Sequence, residues 1–323
     1  MQTEKSGKGR NQALDALKGA AIIGILFAHM NFLSRFSEAT MHFVFSAQLW
    51  FGWCVMAFFF SAGLLTPFES IGPPNFKDYI LKRSARLLLP CFVFSLTYKT
   101  ILNVVFHTLG IGASCIVDGR NLFSVLNYLF VPVGPQFYFL PYLFFLSVLA
   151  VGLTLLIRNV GLLLCGVSLL CVIFYVNRAI PSYAYGPDLL LLPSYLLNYI
   201  AGLACREKLS RQWLPFLFFA LCVIVMCSAK HSFFFAYIAA PIVIYLLLTP
   251  IKSPNPITFL GRQSGPIYVW HDPLILPFIS ILASKVFASS YFQLIVIMVG
   301  GISISIALGE ISKRSSLLKY YRL

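Results

Sequence analysis

The chain has 323 residues, of which 59% are hydrophobic and only 11% charged, and its mean hydropathy of +0.85 is far from that of a water-soluble protein, where about a quarter of residues are charged. Twenty-four Lys and Arg against ten Asp and Glu give a net charge of +14. The basic residues sit in short clusters between apolar runs, which is the orientation signal of a membrane protein and disfavours nucleic acid as a partner.

At about 20 residues per crossing, the apolar runs predict ten spans, near 14–33, 43–65, 87–107, 137–157, 161–177, 189–205, 213–229, 233–250, 265–285 and 291–310. The expected fold class is therefore all-α, a polytopic integral membrane helical bundle. It divides into an N-terminal tail (1–13), a ten-helix membrane domain (14–310) and a C-terminal tail (311–323). Lys5, Lys8 and Arg10 precede the first run as in a signal peptide, but no small-x-small cleavage site follows, so it is read as an uncleaved first span. With the N-terminus inside, seventeen Lys and Arg fall on that side and five on the other, with Lys18 and Lys99 inside spans. That asymmetry places both termini in the cytoplasm.

Two connections stand out by length. The inside loop 66–86 opens on Gly72, Pro73 and Pro74 and closes on Lys82, Arg83, Ser84, Ala85 and Arg86. The outside segment 108–136 carries Asp118, Arg120 and an apolar stretch, 122–131, stopped by Pro132, Gly134 and Pro135. That stretch is too short to span and is expected to lie in the interface. No internal repeat is visible. The eight cysteines form no C-x-x-C pair and mostly fall in apolar runs, so neither a disulfide framework nor a metal site is expected.

An ionisable side chain at the bilayer centre costs roughly 2.5–3.5 kcal/mol on insertion scales, so the first span, with Asp15, Lys18 and His29, calls for an explanation. Lys18 and His29 are eleven residues apart, three turns plus about 20°, and share a helix face about 16 Å apart along the axis. Asp15 is one turn before Lys18 and within pairing reach. The ninth span brings a second imidazole, His271, nine residues and roughly 13 Å beyond Arg262, at a depth similar to His29. Ser264 is the expected N-cap there, with Pro266 in the first turn, and matched depth predicts one shared site. Asp272 is a candidate to orient an imidazole, although its i, i+1 spacing points it away from His271. His42, His107 and His231 sit near outer span ends. Arg83 and Arg86 share a face at i, i+3, and paired guanidiniums suit phosphate oxygens. Each residue also has a plainer role: interface marking for Asp15 and Lys18, helix-to-helix hydrogen bonding for His29 and His271, and positive-inside anchoring for Lys82, Arg83 and Arg86.

Taken in order, Leu14-Asp15-Ala16-Leu17-Lys18-Gly19 with His29, Phe58-Phe59-Phe60-Ser61-Ala62-Gly63-Leu64, Lys82-Arg83-Ser84-Ala85-Arg86-Leu87 with Pro90, Phe137-Tyr138-Phe139-Leu140, and Leu260-Gly261-Arg262-Gln263-Ser264 leading to His271 and Pro273 resemble the marks of the acyltransferase family 3 membrane proteins. The chain departs from that pattern at Lys18, where arginine is usual, at Ala62, which interrupts a Ser-Gly, and at Tyr138, a place often held by tryptophan.

The resemblance implies transfer of an acyl group, usually acetyl, from cytoplasmic acyl-coenzyme A to a hydroxyl of a cell-surface glycan or lipid-linked sugar, in a bacterial inner membrane. No permanently bound cofactor is expected; acyl-coenzyme A is a co-substrate, and the partners are donor, acceptor and membrane lipid. The implied roles are catalytic for His29 and His271 and donor-binding for Lys18, Arg83 and Arg86. Asp15, Ser61, Tyr138, Ser264 and Tyr268 support them. Both general-base and acyl-histidine chemistry fit a neutral imidazole. The competing class is a carrier or flippase for lipid-linked sugars, whose intramembrane charges would line a passage.

Overall fold

The computed structural model describes residues 10–30, 37–108, 138–176, 189–206, 213–230 and 236–314. Among them are thirteen α-helices and no strand. The interfacial stretch 122–131, His231 and most of both predicted tails lie outside the described residues.

Helix α1 (Gln12–Ala28) runs through the middle of the fold, with Ala16, Leu17, Ala21, Ile22 and Leu26 fully buried. Asn11 starts it by accepting the Leu14 N–H at 3.0 Å, the capping bond a helix N-terminus needs. Around α1 pack α3 (Trp53–Leu65), α9 (Ala236–Leu248), α10 (Pro256–Arg262) and α11 (Ser264–Trp270). The α10 start follows from sequence: Asn255 and Thr258 form a reciprocal capping box, and Pro256 occupies the first turn. Helix α3 in turn packs closely on α7 (Leu192–Arg206). A Cβ on Gly63 would strike the Tyr199 carbonyl, and one on Gly202 the Phe60 carbonyl. Small residues thus let two backbones touch, the packing mode of helices without a hydrophobic driving force between them.

The remaining helices are α2 (Glu38–Trp50), α4 (Phe76–Thr108), α5 (Phe139–Ile157), α6 (Val160–Val176), α8 (Trp213–Lys230), α12 (Leu276–Val286) and α13 (Ser290–Arg314). Phe139–Ile157 and Ser290–Ser312 are long and apolar enough to cross a membrane alone, and five other apolar helices are shorter. Outward faces carry Phe145 (63% exposed), Leu156 (79%) and Leu247 (72%), with Leu221 and Ile224 on α8. Contiguous apolar faces of this kind are lipid-facing surfaces, not water-facing ones.

Three predicted elements differ from the structure. The run 43–65 is two helices, α2 and α3, because Phe51 leaves helical geometry (φ −97°, ψ 8°) before Gly52; its ring stacks on Phe27 of α1 at 5.5 Å. Helix α4 begins at Phe76, directly after a turn at Pro73–Asn75, so Lys82, Arg83 and Arg86 are on a helix rather than in a loop. The ninth span is broken at a π turn, His271–Ile275, between α11 and α12. Ser264 is the first residue of α11 and Gln263 precedes it without a side-chain capping bond, a one-residue shift from the expected cap.

Candidate functional site

The site is built at two levels of α1. At its N-terminal end Asp15, 3% exposed, is surrounded by cations. Arg10 bonds it directly, Lys18 Nζ lies 3.3 Å from Oδ1, and Arg262 Nε is 4.0 Å from Oδ2. A carboxylate in the first turn of a helix also meets the positive end of the helix dipole. Such a buried charge is tolerated because it is partnered on several sides.

Beside this cluster opens a cavity of about 420 Å³. Its walls carry Lys18, Lys82, Arg83 and Arg86, and its interior is lined by Phe58, Leu65, Phe139, Leu140 and Leu143 together with Ser61, Ser264 and Tyr268. Among the described residues no acidic side chain lines it. Arg83 is held at one corner of its guanidinium, Nε donating to Ser147 Oγ at 3.2 Å, while its buried Nη2 has no hydrogen-bond partner among the described residues. An unpaired guanidinium N–H away from water costs free energy until an anion reaches it. Chemically, the cavity combines a four-cation wall suited to phosphate oxygens with an apolar interior suited to a carbon chain.

Deeper along α1 lies the second level. His29 caps the C-terminus of the helix, its N–H donating to the carbonyls of Ile25 at 3.1 Å and Leu26 at 3.2 Å. His271 ends α11, and the two ring centroids are 5.1 Å apart at 65°. Nδ1 of His271 is 2.8 Å from the Ile267 carbonyl oxygen. A carbonyl only accepts, so Nδ1 carries the proton and Nε2 of the neutral ring carries the lone pair. That Nε2 is buried and has no hydrogen-bond partner among the described residues. Asp272 Oδ2 is 3.8 Å from His29 Nδ1. The imidazoles do not line the cavity themselves. Tyr268 does; its ring is 6.3 Å from His271 and 5.4 Å from Phe139, which makes it the partition between the two levels.

The structure brings together His29 with His271, Lys18 with Asp15, and Lys18 with Arg83, Arg86, Ser61, Ser264 and Tyr268 around one cavity. Tyr138 is not among the lining residues; its ring packs on Tyr142 at 5.3 Å. His42 is exposed and bonds Ser46 on its own helix. Sequence reasoning missed Ser147 as the tether of Arg83, because a serine within an apolar helix carries no signal of what it faces. Among the described residues no cluster of His, Cys, Asp or Glu could hold a metal ion.

A family model matches this chain: that of an acyltransferase domain, acyltransferase family 3, over residues 11–310. No curated protein and no solved structure matches it.

Proposed function

The chain belongs to acyltransferase family 3, and on that premise we propose that this integral membrane protein is an O-acyltransferase moving an acetyl group from cytoplasmic acetyl-coenzyme A to a hydroxyl of a cell-surface glycan or lipid-linked sugar. The observation that carries this reading is the cavity: four cations and, among the described residues, no carboxylate on its walls, an apolar interior, and Tyr268 one helical turn before His271 at its end. Lys18, Arg83 and Arg86 take the phosphates of the donor. The pantetheine arm follows the apolar wall and delivers the thioester past Tyr268 toward His29 and His271. There a neutral imidazole takes the proton of the acceptor hydroxyl as its oxygen attacks the thioester carbonyl, or itself takes the acyl group.

The donor end of the site belongs to the cytoplasmic side of a ten-span bundle in a bacterial inner membrane, with both termini in the cytoplasm, a placement supported by the basic asymmetry of the sequence. Exposed Ser70 and Ser253 are then cytoplasmic and Ser289 is outside; labelling of Ser70→Cys by an impermeant maleimide in intact cells would refute that orientation.

The test of function is a membrane preparation given acetyl-labelled acetyl-coenzyme A with and without the surface glycan. Label in glycan or protein is the expected result. No label in either, with the protein present, overturns the proposal and leaves a carrier for lipid-linked sugars.

A further inference from the structure

Asp272 precedes Pro273, and the ring of a proline excludes the preceding residue from the α region. Its backbone is accordingly extended, φ −133° and ψ 146°, inside the π turn His271–Ile275. In an unbroken helix a residue one position beyond His271 faces about 100° away from it. The break instead carries the Asp272 carboxylate across to α1, where Oδ2 stands 3.8 Å from Nδ1 of His29. Asp272 is 1% exposed, so its carboxylate faces the imidazole without bulk water to screen it.

The two imidazoles are thus partnered differently. His271 gives its Nδ1 proton to a neutral carbonyl, that of Ile267. His29 has a carboxylate beside Nδ1 and a backbone fixed at the end of α1. A ring that becomes cationic during proton transfer is stabilised much more by a carboxylate than by an amide carbonyl.

We propose that Asp272 is the positioning residue of His29, a statement that rests on the acyl-transfer reading above. It accepts the Nδ1 proton, fixing the tautomer that leaves the lone pair on Nε2, and it balances the charge of the imidazolium. The acceptor hydroxyl loses its proton to Nε2 as its oxygen forms the new C–O bond. The C–S bond of the thioester then breaks, and the Nε2 proton passes to the departing sulfur as coenzyme A thiol. The carboxylate keeps its charge throughout. Catalytic hydrogen bonds are often long in the absence of substrate and shorten in the reactive complex.

The experiment measures thiol release from acetyl-coenzyme A by membrane vesicles of cells that make the surface glycan. Asp272→Asn should lower turnover by about 10²–10⁴-fold, the contribution of a positioned acid–base group, with the KM for acetyl-coenzyme A unchanged within about twofold. Asp272→Glu should recover part of the loss. In a His29→Gln background, single-turnover release should fall no further when Asp272→Asn is added, because the two residues act as one unit. Thiol release from Asp272→Asn within about threefold of the parent would overturn the inference. So would an Asp272→Asn loss that adds fully to His29→Gln, which would make the aspartate structural. Absence of thiol release in the unaltered protein would instead refute the acyl-transfer reading itself.

Discussion

A methyl group on Gly261 would collide with the backbone carbonyl oxygen of Asp15. Helix α10 therefore touches α1 backbone to backbone at the turn that holds the buried carboxylate, and Gly19 repeats the contact one turn on, against the Ile257 carbonyl. The charge cluster is set by this approach, since Arg262 reaches Asp15 across it, while Lys18 pairs with Asp15 from one turn on along α1 itself. Gly261→Ala and Gly19→Ala should each destabilise the detergent-solubilised protein by about 1–3 kcal/mol, the range for overpacking. Gly166→Ala, with nothing within 4 Å of the added carbon, should leave the thermal midpoint unchanged or raise it. Equal midpoints for all three variants would contradict the close approach.

Asp15 and Lys18 are paired at 3.3 Å but face different surroundings, so their substitutions should fail differently. Asp15→Asn leaves Lys18, Arg10 and Arg262 without their shared carboxylate and should destabilise the protein, by less than the about 3–5 kcal/mol of a fully buried pair because the cations left behind are partly exposed. Lys18→Gln removes a cation from the cavity wall; it should raise the KM for acetyl-coenzyme A, and Lys18→Arg should keep it near the parent value. Thermal melts and donor saturation curves on the same preparations separate the two. A Lys18→Gln protein with unchanged donor KM would remove Lys18 from donor binding.

Arg83 and Arg86 share a helix face, yet the structure gives them unequal standing. Arg83 is half-buried, tethered at 3.2 Å to Ser147, and has an unpaired buried Nη2, whereas Arg86 is exposed. Arg83→Ala should therefore raise donor KM by the equivalent of about 1.5–3 kcal/mol, the value of a hydrogen bond to a charged group. Arg86→Ala should raise it less. Arg83→Lys should rescue only partly, because a lysine has no fork with which to hold Ser147 and an anion together. Ser147→Ala should show a smaller increase than Arg83→Ala. Equal effects of the two arginines, accompanied by equal loss of membrane insertion, would support anchoring instead.

The helical periodicity was enough to put Lys18 and His29 on one face of α1 and to place His271 at the depth of His29, and their rings lie 5.1 Å apart. Periodicity failed where the chain leaves the helix. Asp272 faces away from His271 on a helical wheel and toward His29 in the fold, because the wheel has no term for the proline that follows it. The break at Phe51 is equally hidden, since an apolar run across Phe51 and Gly52 reads as one span while the aromatic ring finds its place against Phe27. The tether between Arg83 and Ser147 joins residues sixty-four positions apart. Only helix packing creates that pair, and no spacing rule reaches it.

The sharpest expectation concerns the imidazole pair, whose members should fail in different ways although they are in ring contact. His29 lies beside Asp272, so on the proposed reading its loss removes the base and leaves the carboxylate with no imidazolium to stabilise. His29→Gln should lower transfer by roughly 10²–10⁴-fold while acetyl-coenzyme A still binds, because the cationic cavity wall lies one level away and does not include His29. His271 has its Nδ1–H committed to Ile267, which leaves Nε2 only a lone pair. In that form it accepts a hydrogen bond from a hydroxyl and offers none to a thioester carbonyl. On the proposed reading its part is to orient the acceptor, and His271→Gln should give a smaller loss, expressed mainly in acceptor KM with donor KM unchanged. Steady-state kinetics with each substrate varied in turn separates these outcomes. Near-normal glycan acylation by a well-expressed His29→Gln protein would make the first-span histidine structural and transfer the role of base to His271.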